Sequence, residues 1–209
     1  MLFDWDGTLL NSYSADSAAY LAMFGAMGIS WGLEELARHY SPNWYHVYRA
    51  AGLPRSRWDE ADRRWRKQYA NHRPRLIRGV LRVLNQLQRR HQLGLVTSGD
   101  RNRVLQQLRE FGLRSVFAAA VCSGDTRYRK PHPAPLRLAL EQMDLEPGAC
   151  VYVGDSPEDL EMARRAKVRA VAVLGPFPTE KGLRAARPEF LLQSIAELPA
   201  ALLAMSARP

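Results

Sequence analysis

Apolar residues in the second part of the chain recur with two alternating rhythms. Val80, Leu81, Val83, Leu84 and Leu87 return at helical spacing, and Leu93–Val96 is a short unbroken run that predicts a buried strand. Asp100 is placed to cap a helix reaching Phe111, stopped by Gly112, and Val116–Cys122 predicts the next strand. The cycle then repeats. Pro133 stands where a helix begins whose apolar face is Leu136, Leu140 and Met143. Val151–Val153 predicts a strand, Ser156–Ala166 a helix and Val168–Leu174 a further strand, while Leu2–Trp5 fits a short first strand. Short strands alternating with helices imply parallel βαβ units, hence an α/β fold with a sheet covered on both faces.

Residues 14–76 break this rhythm. Helical periodicity fits 15–27, 42–51 (capped by Ser41, with Pro42 in the first turn) and 56–71 (capped by Ser56), with no strand between them. Trp31, Trp44, Trp58 and Trp65 all lie here. They read as the small core of a helical insertion; whether one or two of them also face the main sheet stays open. The expected organisation is a core of 1–13 and 77–209 with a helical cap of 14–76.

Composition narrows the class. At 209 residues and 46% apolar, the chain can bury a core without disulfides or structural metal. Its apolar runs fall far short of the roughly 20 residues of a membrane helix, and no leader pattern opens it, so the expected location is cytoplasmic. Cys122 and Cys150 lack partners at metal-ligand spacing and read as buried free thiols. The net charge of +9 is unusual, yet the basic residues are scattered, and nearly all are Arg; Lys occurs only at 67, 130, 167 and 181. A nucleic-acid binder gathers such residues on one face among aromatics. Nucleic acid is therefore not the expected partner, although a nucleic-acid-directed activity remains an alternative; a field that attracts small anions accounts for the charge equally well.

Four short segments carry the candidate chemistry. Asp4-Trp5-Asp6-Gly7-Thr8 places two carboxylates and a Gly turn where the first strand ends, at the sheet edge where open α/β folds bind ligands. Thr97-Ser98-Gly99 ends another strand just before a helix, a natural anion site. Lys130 sits in Arg129-Lys130-Pro131-His132-Pro133, conspicuous in a chain so poor in lysine. In Gly154-Asp155-Ser156-Pro157-Glu158-Asp159, Ser156, Pro157 and Asp159 are explained by helix capping, but Asp155 is not.

In this order the four segments resemble the haloacid dehalogenase-like hydrolase superfamily, nearest to the phosphoglycolate phosphatase and β-phosphoglucomutase branch with a small helical cap inserted after the first strand. The resemblance covers nearly the whole chain. It implies a Rossmann-like core and Mg2+-dependent phosphoryl transfer on a small phosphorylated metabolite. On this reading Asp4 is the nucleophile that becomes an aspartyl-phosphate and Asp6 the general acid and then base. Gly7, Thr97 and Ser98 hold the phosphate, and Lys130 neutralises charge shared by phosphate and nucleophile. Asp4, Asp6 (through its carbonyl) and Asp155 bind the metal, with Asp159 in support. A second carboxylate at Asp6 favours phosphate esters over carbon–halogen substrates. The alternatives are a phosphomutase or a non-catalytic binding protein of the same fold, and the oligomeric state, monomer or dimer, is open. Three features depart from the pattern: a short first strand, bulky Trp5 between the two acids, and Asn11 where many relatives carry Asp. The stretch Arg38–Tyr45, rich in aromatics and donors, is able to reach the ligand from the cap, and whether Tyr40, Trp44, Tyr45 and Tyr48 do so or simply pack the cap stays open.

Overall fold

A computed structural model describes residues 1–206; the last three positions of the expected core segment 77–209 lie outside it. β1 (Leu2–Phe3) runs at the centre of a six-stranded sheet. On one side lie β4 (Gly94–Asp100) and β5 (Ala119–Ser123), and on the other β6 (Val151–Gly154), β7 (Arg169–Val173) and β8 (Leu191–Leu192). Every pairing is parallel. Alternation along each strand divides the core in two. Phe3, Leu95 and Val153 join one buried cluster, whereas Leu2, Val96 and Tyr152 join the other. Helices cover both faces, as a parallel sheet requires: α5 (Val80–Leu87) and α10 (Leu198–Ser206) feed the first cluster, α7 (Ala134–Met143) and α8 (Pro157–Arg165) the second. The fold is the expected Rossmann-like α/β arrangement.

Trp5 shows why a bulky residue suits its place. Lying between the two acids, it is fully buried, donates its indole N–H to Gln107 Oε1 at 2.9 Å, and packs near Phe111. The expected strand at Val116–Cys122 begins only at Ala119, because Phe117 packs into the core from the preceding turn. Cys122 and Cys150 are buried free thiols. Among the described residues no helix is long and apolar enough to cross a membrane.

Between β1 and β4 the chain builds a helical layer: α1 (Tyr13–Ala26), α2 (Leu33–His39), α3 (Trp44–Ala50) and α4 (Trp58–Tyr69). Its own core contains Tyr20, Phe24, Leu36, Val47, Tyr48 and Trp58, with Trp31, Trp44 and Trp65 packed against it. The layer leaves and rejoins the sheet through adjacent strands, since β2 (Leu10–Asn11) pairs antiparallel with β3 (Arg75–Leu76). Helix α2 was not anticipated from the sequence, and it corrects the expectation for Arg38. That residue is exposed in the last turn of α2 and does not reach the cavity under the layer, whereas Tyr40, Ser41, Pro42 and Trp44 line it. Ser41 does not cap α3, which starts later. It donates instead to Glu158 Oε1 at 2.8 Å, tying the layer to α8.

Candidate active site

The carboxyl ends of β1, β4 and β6, with the loop after β5, converge below the helical layer. Leaving β1, the chain turns sharply, so that Leu9 N–H and Leu10 N–H both donate to the Trp5 carbonyl, at 2.9 and 2.8 Å. Gly7 makes this turn at φ +86°, in the left-handed region that glycine favours. It also has no room for a side chain. A Cβ there would run into Asp155 Oδ2 and stand 2.7 Å from the Phe177 ring. The neighbouring Thr8 hydroxyl donates to Asp155 Oδ1 at 2.7 Å, locking the loops after β1 and β6 together.

Lys130 is the hub. It is 2% exposed, and its ammonium lies 2.9 Å from Asp4 Oδ1 and 2.7 Å from Asp159 Oδ1, and donates to the Tyr152 hydroxyl at 2.8 Å. Asp159 is committed on its other side too, where Oδ2 accepts from the Ser156 amide at 3.1 Å and hydroxyl at 2.6 Å. Asp159 N–H donates in turn to Ser156 Oγ, completing a capping box at the start of α8. Thr97 Oγ1 accepts from Gly99 N–H at 3.0 Å, and Thr97 and Ser98 line the cavity beside Asp4. Asp6 faces the same cavity with both oxygens held by Arg103, at 3.0 Å from Nη1 and 2.6 Å from Nη2. Arg103 is itself set over the Tyr69 ring, 4.9 Å from its centroid. Gly99 makes room for it, since a Cβ at that position would collide with Nη2.

Asp4, Asp155 and Asp159 each bring a carboxylate oxygen within 4.8 Å of the others, all buried, against one ammonium. Electrostatics follow from that imbalance. Burial pushes Asp4 up to about 7, opposed by Lys130. Burial, then Asp4 and Asp159, push Asp155 well above the usual carboxylate range. Burial works against the charge on Lys130, but Asp159 and Asp4 outweigh it and raise its pKa. Such a set fits a hard divalent cation, which takes oxygen ligands and one or two carboxylates. Between them the Asp159 oxygens already accept bonds from Lys130, Tyr152 and Ser156, which leaves Asp4 and Asp155 as the carboxylates free to face such a cation.

The sequence reading brought together Asp4, Asp6, Gly7, Thr97, Ser98, Lys130, Asp155 and Asp159, and all eight meet at this edge. Thr8, though part of the first segment, had no expected role, and Arg103, Tyr152 and Asp16 were not expected there. Asp16, on α1, lines the cavity, and burial followed by the nearby Asp6 charge pushes it up to about 8 despite Arg103. An acid whose folded pKa exceeds its unfolded value of 3.8 destabilises the fold progressively as pH rises from about 4 to 8. Asp16→Asn is therefore expected to leave stability nearly unchanged at pH 4 and to raise it by about 1–3 kcal/mol at pH 8. Urea denaturation at the two pH values checks this, and an equal difference at both would contradict it.

A parallel sheet whose central strand ends in paired acids beneath a helical roof defines an α/β enzyme working at the carboxyl edge of its sheet. A family model described as haloacid dehalogenase-like hydrolase matches residues 1–173, and the chain belongs to that family of hydrolases. It is 28% identical over 203 residues to the pyrophosphatase PpaX of Bacillus pumilus, covering 95% of this chain and 93% of that protein. PpaX of Oceanobacillus iheyensis is 23% identical over 202 residues, covering 95% and 94%. A putative phosphoglycolate phosphatase from Lactobacillus plantarum superposes with TM-score 0.85 at 24% identity, over 98% and 97% of the two chains. CbbY from Rhodobacter sphaeroides, solved with phosphate, gives 0.81 at 25% identity over 94% of each.

Proposed function

We propose that this hydrolase is a Mg2+-dependent phosphatase that cleaves a small phosphate monoester through an aspartyl-phosphate on Asp4. In it, 1–13 and, among the described residues, 77–206 form the catalytic core and 14–76 the cap. The observation that carries the reading is the buried contact of Lys130 with Asp4 at 2.9 Å, beside Asp155 and beneath a cavity of about 290 Å3. A carboxylate cannot approach a phosphate dianion unless positive charge is already in place. Lys130 supplies part of it. The Asp4 and Asp155 carboxylates and the Asp6 carbonyl would hold Mg2+, whose charge would supply the rest.

The residues then divide the work. An Asp4 oxygen attacks phosphorus as the bond to the ester oxygen breaks, and Asp6 protonates the departing alkoxide. In the second half Asp6 takes a proton from water, whose oxygen attacks the same phosphorus, and phosphate leaves as Asp4 is restored. Thr97 and the Ser98 amide hold the non-bridging oxygens, and Gly7 lets the backbone come close. Both Asp6 oxygens accept from Arg103, and each keeps a second lone pair at which a proton can be taken up or given off. The names of the relatives agree with phosphorus chemistry: a pyrophosphatase, a phosphoglycolate phosphatase, and a CbbY also solved with xylulose-(1,5)bisphosphate.

Turnover of p-nitrophenyl phosphate with Mg2+, lost on chelation and restored by added Mg2+, is the expected behaviour. Rapidly quenched enzyme should carry one phosphoryl group on the peptide that contains Asp4. Undiminished turnover in chelator, or a label on another residue, would refute the reading.

A further inference from the structure

The cavity wall above the acids contains three guanidinium groups, from Arg66, Arg103 and Arg129. Two have carboxylate partners. Arg103 is paired with Asp6, and Arg66 shares Asp62 with the Tyr48 hydroxyl, at 3.9 and 2.8 Å respectively. Arg129 has no ion pair: among the described residues no carboxylate lies within ion-pair distance of it, although its charge reaches Asp62 through space and partly offsets the rise that burial gives that carboxyl's pKa. Its bonds go to neutral oxygens, from Nη1 to Ser123 Oγ at 2.9 Å and from Nη2 to Tyr45 Oη at 3.0 Å. The guanidinium is nevertheless held firmly. Its central carbon lies 4.0 Å from the Trp44 ring centroid and 4.6 Å from that of Tyr45, clamped between the sheet edge and α3.

A second observation points the same way. Trp44 also lines the cavity, and its indole N–H is buried with no acceptor. Buried polar groups are normally bonded, and an unmet donor marks a place for a ligand oxygen. A guanidinium offers five N–H donors in a planar fork suited to carboxylate and phosphate, and Arg129 uses two on the protein. The positive fork and the indole therefore lie side by side in the wall of the cavity that also contains Asp4 and Asp155. The volume, about 290 Å3, is at the lower end of small-ligand sites, roughly 300–1,000 Å3.

We infer that Arg129, with the Trp44 indole N–H, forms a subsite for a second anionic group, so that the preferred substrates are short esters bearing a carboxylate or second phosphate besides the one removed. The inference rests on the phosphatase reading for the position of the scissile phosphate. Its test does not depend on turnover.

Calorimetric titration of the full-length Asp4→Asn protein in Mg2+ compares ligands in matched pairs: 2-phosphoglycolate against ethyl phosphate, and 1,4-butanediol bisphosphate against butyl phosphate. In at least one pair the doubly anionic member is expected to bind about tenfold or more tightly, the effect of hydrogen bonds to a charged group. Adding Arg129→Met should reduce that preference to less than about threefold. No preference in either pair overturns the subsite. So does a preference that survives Arg129→Met. If Arg129 only joins the helical layer to the sheet, its loss weakens both members of a pair alike and the ratio persists, which also overturns the inference. Should Arg129→Met fail to fold, Arg129→Gln, able to keep one bond to Ser123 or Tyr45, takes its place: a reduced ratio supports the subsite and an unchanged one overturns it. If the parent enzyme hydrolyses no ester while the ratio behaves as expected, the phosphatase reading falls and the subsite stands.

Discussion

Asp4→Asn is expected to lower phosphate-ester hydrolysis by at least about 10⁴-fold, the scale on which loss of a covalent nucleophile is felt. The substitution keeps the shape of the side chain and an oxygen facing Lys130, but removes the charged oxygen that would attack phosphorus. It should not unfold the protein. Burial already pushes the Asp4 acid up to about 7 from 3.8, so it lowers stability progressively as pH rises from about 4 to 7, and in full at pH 8, when no divalent ion is present. The variant is therefore expected to melt no lower than the parent at pH 8 in chelator. That pairing of results separates chemistry from structure. Wild-type-like turnover by the folded Asp4→Asn protein would remove Asp4 from the mechanism.

Lys130→Met should instead be costly to the fold. The ammonium is 2% exposed and touches Asp4, Asp159 and Tyr152. Deleting it leaves a group of buried carboxylates, oxygens within 4.8 Å of one another, with no cation among them. Removing one partner of a buried ion pair typically destabilises by about 3–5 kcal/mol. For a chain of this size that corresponds to a fall in Tm of roughly 10 °C. Because Asp4 and Asp155 have raised pKa values, they bind protons more readily folded than unfolded, and the deficit should shrink as pH falls from 8 to 5. A melting point within about 2 °C of the parent at pH 8 would show that Lys130 does not hold this cluster together. Hydrolysis should be lost as well, since among the described residues no other cationic side chain is paired with Asp4.

The site was legible in the sequence wherever a residue's place follows from its strand. Asp4, Thr97 and Asp155 each lie at or just past the end of an apolar run, and a parallel sheet brings such ends to one edge whatever lies between them. Lys130 stood out because lysine is scarce and prolines flank its loop. Partners that depend on tertiary approach were not legible. Arg103 is 97 positions from Asp6 and looks, in sequence, like an ordinary polar residue in the first turn of α6 (Arg101–Glu110). Tyr152 reads only as part of a core strand until its hydroxyl is seen between Lys130 and the Val96 carbonyl. Among the elements, α2 escaped because only Leu36 of its seven residues is buried, leaving no periodic signal. β2 and β3 are two residues each, too short for alternation to register.

That small ribbon has a consequence for how such a molecule can change. Leu10 faces Leu76 and Asn11 faces Arg75, so the outgoing and returning chains stand side by side. Everything between them could be cut away and another stretch spliced in without rethreading a single strand of the parallel sheet. The same acidic edge can thus be roofed by a different set of helices while the strands that carry it stay in place.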